Sequence, residues 1–442
     1  MIEYKPMHKT RTAEITSPLV NLGEIRGKLM PLSLIVGAVA IILSLLLAGF
    51  NFQRFSFAYL VNYAFVLTIC IGCLFFVTIS HLTRAGWNVT LRRIAEVYAM
   101  CLLPLAILFL PILLPVLTGN RDLYVWNAGG WSLHGASSDI VSQLTDVAKR
   151  PPLEQLKHAY LNGGFFAVRW VIYFCIWGGM AWFFLSRSLK QDETGDKHLT
   201  SKMQAFSAPA MIVFAASLVF SSMDLLMSLE PLWFSTMFPV YFFAGSMLGA
   251  LSLITLTAQV LQRNGRVTDE ITTEHYHDMG KLMFGFVIFW GYIAFSQFML
   301  IWYANIPEET FWYEYRINWA EGWGLLSLIL LVGHLFIPFL AMMGRTMRRN
   351  RKFMFFAPIY MLVMHWIDLY WLVMPQYSRA VPTAHGEAPA SAMGFLPFLA
   401  DVACLVGMLG LFFAIFCLVA RDKPLVAMKD PRLGEALNHE VH

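Results

Sequence analysis

His365 and Asp368 stand three residues apart in the run Met364-His365-Trp366-Ile367-Asp368-Leu369-Tyr370-Trp371. In a helix that spacing sets both side chains on one face, and a histidine beside a carboxylate is suited to taking up and giving back protons near neutral pH. Two kinds of site ask for such a pair. A pocket that oxidises a quinol must receive two protons for every two electrons removed, and a proton path across a membrane needs the same residue types at intervals. The plain alternative is interhelical hydrogen bonding that only locks a bundle. For the pair, proton exchange is the stronger reading; for His334 alone, the locking role is.

Further ionisable residues fall within apolar stretches or at their edges: Arg169, Asp401 and Glu96, with Asp224 and Glu230 flanking the turn Ser222-Met223-Asp224-Leu225-Leu226-Met227-Ser228-Leu229-Glu230-Pro231. Each is a candidate for a quinone site or a proton path, because an ionisable group in lipid is costly to keep without a use. Arg169 reads as the counter-ion of a buried carboxylate such as Asp224 or Asp401. A haem held by His334 and His365 would need facing histidines at equal depth with small residues around them. Gly333 would help, but Met364, Trp366, Tyr370 and Trp371 crowd the second histidine, so no haem is expected on this chain.

These residues must be positioned by helices. Ten stretches, about 31–50, 56–79, 94–117, 164–185, 203–224, 234–261, 280–304, 323–343, 353–374 and 393–419, each hold roughly 20 or more mainly apolar residues, enough to cross a hydrocarbon core about 30 Å thick. Backbone amides in lipid must be satisfied within the segment, so the stretches are helices and the class is an all-α integral membrane protein. At 1.5 Å per residue, His365 lies about 18 Å along the ninth helix from Phe353. The eighth and ninth are joined by a short loop, so His334, His365 and Asp368 are expected to share one polar region. Most of the 32 Lys and Arg residues fall at the N-terminus, in the loops after the even-numbered helices and in the C-terminus, with Arg345, Arg348, Arg349, Arg351 and Lys352 as the densest group. By the positive-inside rule both termini are cytoplasmic. The organisation expected is a cytoplasmic segment 1–30, a membrane domain 31–420 and a cytoplasmic tail 421–442.

Composition agrees: 58% of the residues are hydrophobic and only 14% charged, unlike an ordinary soluble domain. The net charge of +4 is spread over loops and gives no nucleic-acid signal. No cleavable leader is expected, since the first apolar run is too long for one. Cys70, Cys73, Cys101, Cys175, Cys404 and Cys417 all lie in apolar stretches and read as buried packing thiols. No c-type haem, nucleotide-binding glycine loop or four-cysteine cluster motif is present. The loop after the seventh stretch is aromatic and acidic, from Trp302 through Glu308, Glu309, Trp312 and Tyr315 to Trp323. Part of it reads as an interfacial belt, and its extent makes it a candidate docking surface for an external partner.

The turn quoted above, with Trp233-Phe234-Ser235-Thr236-Met237-Phe238, Tyr241-Phe242-Phe243-Ala244-Gly245-Ser246, Asp278-Met279-Gly280-Lys281-Leu282-Met283-Phe284-Gly285-Phe286, Trp290-Gly291-Tyr292, Phe295-Ser296-Gln297 and the His365–Trp371 run, resembles the NrfD/PsrC-like membrane subunits of alternative complex III, the ActF type more than the ActC type. The resemblance spans nearly all ten helices. It implies two four-helix bundles, helices 2–5 and 6–9, with helices 1 and 10 flanking, in a bacterial inner membrane. It implies a role in a quinol:electron-acceptor oxidoreductase of the respiratory chain, with quinone or menaquinone as ligand and no redox metal on this chain. The implied partners are an ActC-like second subunit, an iron–sulfur subunit and multihaem cytochrome c subunits passing electrons to a cytochrome c or copper protein. Two other classes fit ten helices. A stand-alone secondary transporter would show matching helix breaks in its two halves, whereas Pro104, Pro111, Pro115, Pro239 and Pro338 form no obvious pair; a structural anchor would use its buried polar groups for assembly alone.

Overall fold

A computed structural model of the chain describes residues 20–128, 159–377 and 394–440. Ten helices are long and apolar enough to cross a membrane: α1 Glu24–Leu47, α2 Phe52–Leu82, α3 Val89–Leu117, α4 Gly163–Thr194, α5 His198–Leu229, α6 Phe238–Arg263, α7 Thr273–Ala304, α8 Trp323–Met343, α9 Phe353–Tyr377 and α10 Phe395–Val419. Among the described residues there is no strand. The protein is an all-α multi-pass membrane protein, as the ten apolar stretches predicted. α1 runs from Glu24, ahead of the first apolar stretch at about 31, with Glu24, Arg26 and Lys28 in its first turns. Residues 1–19, 129–158, 378–393 and 441–442 lie outside the described residues.

α2 is the hub. It is apolar on all sides, as a fully enclosed helix must be, and it packs against α3, α5, α6, α9 and α10. Helices α2, α3, α4 and α5 contact one another in a closed ring, and α6, α7, α8 and α9 in a second; α2 meets α6 and α9 across the seam. α1 touches little besides α10. Its buried residues, Ser33, Gly37, Ala40 and Ser44, are all small and share one face. That stripe lets the backbones close up, the usual device where lipid removes the hydrophobic drive: a Cβ on Gly410 would stand 2.6 Å from the Gly37 Cα.

Two helices are broken in informative ways. α3 carries Pro104, Pro111 and Pro115 and is interrupted at Cys101 and Phe109. The Ile112 amide turns to the Phe109 carbonyl, which frees that of Leu108, and the Tyr59 hydroxyl of α2 donates to it at 2.7 Å. α8 becomes a π-helix over Leu330–Phe336. A π turn bonds each carbonyl to the amide five residues on, but Pro338 has no N–H to give Gly333. The Tyr360 hydroxyl of α9 fills that place at 2.7 Å.

The segment assigned as a C-terminal tail, 421–442, is packed through its described part, with Leu425, Val426, Leu433 and Ala436 buried. Arg92 of α3 pairs with Asp430, and the Lys429 amide donates to Asp192 of α4 at 3.1 Å. His439 meets Asp278 of α7 at 2.6 Å. Five of the six cysteines are buried as expected; Cys175 is exposed on the outer face of α4, where an apolar thiol meets lipid without penalty.

Candidate functional site

Asp368 lies on α9 and takes its partners from two other helices. Its Oδ1 accepts from the Tyr241 hydroxyl of α6, and its Oδ2 accepts from the Trp290 indole N–H of α7 at 3.2 Å. One turn away, His365 Nε2 lies 2.9 Å from Thr68 Oγ1 of α2, while its Nδ1 has no partner. Both α9 side chains close on the same glycine of α6. A Cβ on Gly245 would stand 3.0 Å from His365 Cε1 and 3.7 Å from Asp368 Oδ2, and one on Gly249 would stand 3.0 Å from His365 Cδ2. Gly245 and Gly249, four apart, cut the groove that receives the imidazole.

His334 joins through Trp290. The two rings lie 4.0 Å apart at 35°, so one indole carries a hydrogen bond to Asp368 on its edge and the imidazole on its face. The π turn in α8 is what projects His334 inward, where it is fully buried with both ring nitrogens unpartnered. The three residues expected to share one polar region are thus brought around Trp290 and Gly245. Gly333, which would have made room for a macrocycle, is packed instead: a Cβ there would meet Met364 Cε at 2.8 Å and the Tyr360 hydroxyl at 3.1 Å.

Next to this cluster, towards the end of the molecule carrying the short helix Pro307–Arg316, is a cavity of about 610 Å³ between α6, α7 and α8. Tyr241 and Trp290, the two donors to Asp368, form part of its wall. Most of the remaining wall is apolar or aromatic, with Phe238, Phe298, Leu331 and Trp319 among its residues. Its volume falls within the roughly 300–1,000 Å³ range of small-molecule sites, whose character is a mainly apolar wall with a few placed polar groups.

The aromatic loop that follows α7 roofs this cavity. Trp312 and Trp323 are buried, while Trp302, Tyr303 and Trp319 remain exposed. Trp312 stacks on Trp233 at 4.3 Å and on the Arg316 guanidinium at 3.5 Å. Arg316 also donates to the carbonyls of Trp312 (3.0 Å) and Leu372 (2.7 Å), tying the roof to α9. Burial pulls its pKa down to about 9, and the nearby Glu230 carboxylate opposes that shift. It therefore stays charged at neutral pH. Glu230 itself accepts from Gln376 at 3.2 Å and so belongs to this roof, not to the Asp368 cluster.

The other expected site residues lie apart from the cluster, each in a charged pair of its own. Arg169 grips Asp224 with two hydrogen bonds of 2.8 and 3.0 Å, and the Tyr173 hydroxyl adds a third at 2.8 Å. Of the two counter-ions considered for Arg169, the structure selects Asp224. Asp401 pairs with Arg54 of α2 and accepts from Tyr370 at 3.0 Å. Glu96 sits at the opposite end of the bundle between Arg92 (3.3 Å) and Arg93 (3.0 Å), with Asp192 and Asp430 completing a buried ionic cluster. Sequence reasoning passed over Arg54, because it stands just before the second apolar stretch and reads as a loop residue. It quoted Tyr241, Trp290 and Gln297 without giving them a role. Their signal was position: Trp290 and Gln297 are two turns apart, on one face of one helix.

The chain matches no family model, and no curated protein matches it.

Proposed function

We propose that this chain is an NrfD-like integral membrane subunit of a quinol:electron-acceptor oxidoreductase, with the cavity beside Asp368 as its quinol pocket. The observation that carries the reading is that one side chain, Tyr241, belongs both to the wall of a largely apolar cavity and to the hydrogen-bonding shell of a buried carboxylate. Quinol oxidation releases two electrons and two protons and leaves quinone. A quinol hydroxyl seated against Tyr241 gives its proton to the phenolic oxygen as the phenolic hydrogen passes to Asp368, and once Asp368 has passed that proton on, the second proton follows by the same relay. His365 and Thr68 continue the polar line towards α2. The electrons have to leave for an iron–sulfur cluster on a partner subunit and from there for multihaem cytochromes c and a soluble cytochrome c or copper protein. A second NrfD-like subunit of ActC type completes the assembly in a bacterial plasma membrane, with both termini cytoplasmic. The short helix Pro307–Arg316 and the exposed Trp302, Tyr303 and Trp319 offer the external partner an aromatic surface.

The test is gentle extraction of the protein from its native membrane, followed by mass spectrometry of the chains that come with it. Recovery with an iron–sulfur protein, a multihaem cytochrome c and a second ten-helix subunit supports the reading. Isolation as a clean monomer or homo-oligomer refutes it and favours a transporter, which solute flux in liposomes would then reveal.

A further inference from the structure

The cavity beside Asp368 has two unlike sides. Its inner wall holds buried side chains with polar groups, Tyr241, Trp290, Gln297 and Trp371. Its outer wall is apolar and stands on the surface of two spans. Phe295 of α7 is 61% exposed, and Leu328, Leu331 and Phe336 of α8 are between 44% and 51% exposed. The packing of the two helices explains the opening. α7 lies against the π turn of α8 and against Ile337–Met343, but hardly against Trp323–Ile329. They come closest at Gly291, where a Cβ would run into the Leu335 side chain, and they diverge towards the end that carries Pro307–Arg316. Along the diverging stretch α7 turns Gly291, Ala294 and Phe298 to the gap, and α8 turns Gly324, Ser327 and Leu331. Each set is spaced three and four apart, so it forms one stripe on its helix. Four of these six are Gly, Ala or Ser. Small residues usually let helices close up in lipid. Here the helices stay apart, and the missing side chains leave a cleft that runs from the lipid-facing surface to Tyr241 and Trp290.

We infer that the cleft between α7 and α8 is both the door of this cavity and the groove for its ligand's tail: a lipid-soluble quinol enters sideways from the bilayer, ring first, and keeps an apolar tail between the two helices while its hydroxyl meets Tyr241. This rests on the cavity being the quinol pocket. The two sides of the wall sort the two ends of such a molecule. The ring hydroxyls find hydrogen-bonding groups on the buried side, and the hydrocarbon tail lies along the exposed apolar side. The close approach at Gly291 and Leu335 shuts the cleft at its deep end, so the tail points towards the Pro307–Arg316 end. The tail passes from one apolar medium to another, so the groove sets its direction and adds little affinity. Where the tail lies is therefore the quantity to measure.

The experiment uses the full-length chain in lipid nanodiscs under argon, with an alkyl hydroquinone that carries a diazirine on its tail close to the ring. After illumination the labelled peptides are identified by mass spectrometry. The expected result is label concentrated around Phe295 of α7 and Leu328–Leu331 of α8. Excess tailless hydroquinone, which takes the ring site and releases the tail, should reduce that label severalfold. In Ala294→Phe, which fills the cleft, the displaceable label should be lost; Ala294→Leu serves the same purpose if the phenylalanine variant does not fold. Label spread evenly over the lipid-facing helices, label in the cleft that the competitor does not displace, or undiminished displaceable label in the filled variant overturns the inference. The second of these results would give the cleft to ordinary acyl chains. Tailless hydroquinone is also titrated against tryptophan fluorescence, which Trp290 and Trp312 report from the cavity wall. Saturable binding there leaves the quinol pocket standing even where the tail inference falls, and absence of binding removes the pocket and the inference together.

Discussion

Tyr241 of α6 donates its hydroxyl hydrogen to Asp368 of α9, while its ring closes one side of the cavity. The carboxylate thus stands behind two wall residues, Tyr241 and Trp290, and the tyrosine hydroxyl is the one able to pass a proton. In Tyr241→Phe the wall keeps its shape and the relay loses its one exchangeable hydrogen. Quinol turnover by the assembled complex is expected to fall about 10²-fold, the lower end of what a positioned proton donor or acceptor contributes, with hydroquinone affinity changed less than tenfold. Steady-state turnover and fluorescence titration on the same preparation check both halves; a large loss of affinity with turnover intact would contradict the relay.

Asp368 and Asp401 are both buried carboxylates, and their partners predict opposite phenotypes. The hydrogen bonds to Asp368 come from neutral groups, Tyr241 and Trp290, whereas Asp401 faces the Arg54 guanidinium. Asp368→Asn should assemble normally and lose quinol turnover or coupled proton movement. Asp401→Asn strands a buried cation and should lower stability by roughly 3–5 kcal/mol, seen as poor yield and early thermal unfolding. Unchanged turnover in an assembled Asp368→Asn complex would remove Asp368 from the mechanism.

The ten helices were legible because lipid imposes one rule on every segment, and composition alone then marks each span. The partners within the membrane were less legible, because they depend on which helix faces meet. That Arg169 takes Asp224 and not Asp401 follows from α4 lying against α5, a neighbour relation that charge counting does not contain. The Asp368 cluster shows the same limit. His365 and Asp368 stand out as costly residues in an apolar run, whereas Tyr241 and Trp290 are ordinary aromatics until the fold turns their polar edges towards one carboxylate. The π turn at His334 was hidden too, although Pro338, four residues on, was the visible sign that regular bonding there is broken. The C-terminal segment reads as a polar tail because its polar contacts, Arg92 with Asp430 and His439 with Asp278, join residues far apart in sequence.

Gly245 is a packing requirement with a functional consequence. A methyl group there would stand 3.0 Å from the His365 ring, and the imidazole is held on its other side by Thr68 and by Phe65, whose ring centroid is 5.7 Å away. Gly245→Ala should therefore displace His365 and destabilise the fold by about 1–3 kcal/mol, as overpacking a tight core does. Shortening the clashing partner in Gly245→Ala/His365→Ala should recover part of that loss. Thermal unfolding in nanodiscs gives both values, and an alanine variant as stable as the unaltered chain would show that α6 and α9 are free to move apart.

The Arg169–Asp224 pair separates assembly from chemistry. Its two direct hydrogen bonds, the Tyr173 hydroxyl and the Tyr160 ring 3.9 Å from the guanidinium make it a complete local structure. The cavity beside Asp368 takes its wall from α6 to α9 and their connecting segments, with nothing from α4 or α5. Asp224→Leu alone leaves a cation buried and should destabilise by roughly 3–5 kcal/mol. The double variant Arg169→Met/Asp224→Leu removes both charges and should unfold later than either single one, giving a coupling energy of about 0.5–3 kcal/mol from the cycle of four proteins. If the pair is structural, the double variant keeps hydroquinone affinity and turnover per assembled complex. Loss of turnover in a stably assembled double variant would instead place Arg169 and Asp224 on the proton route, and the boundary drawn around the Asp368 cluster would have to be widened to include α4 and α5.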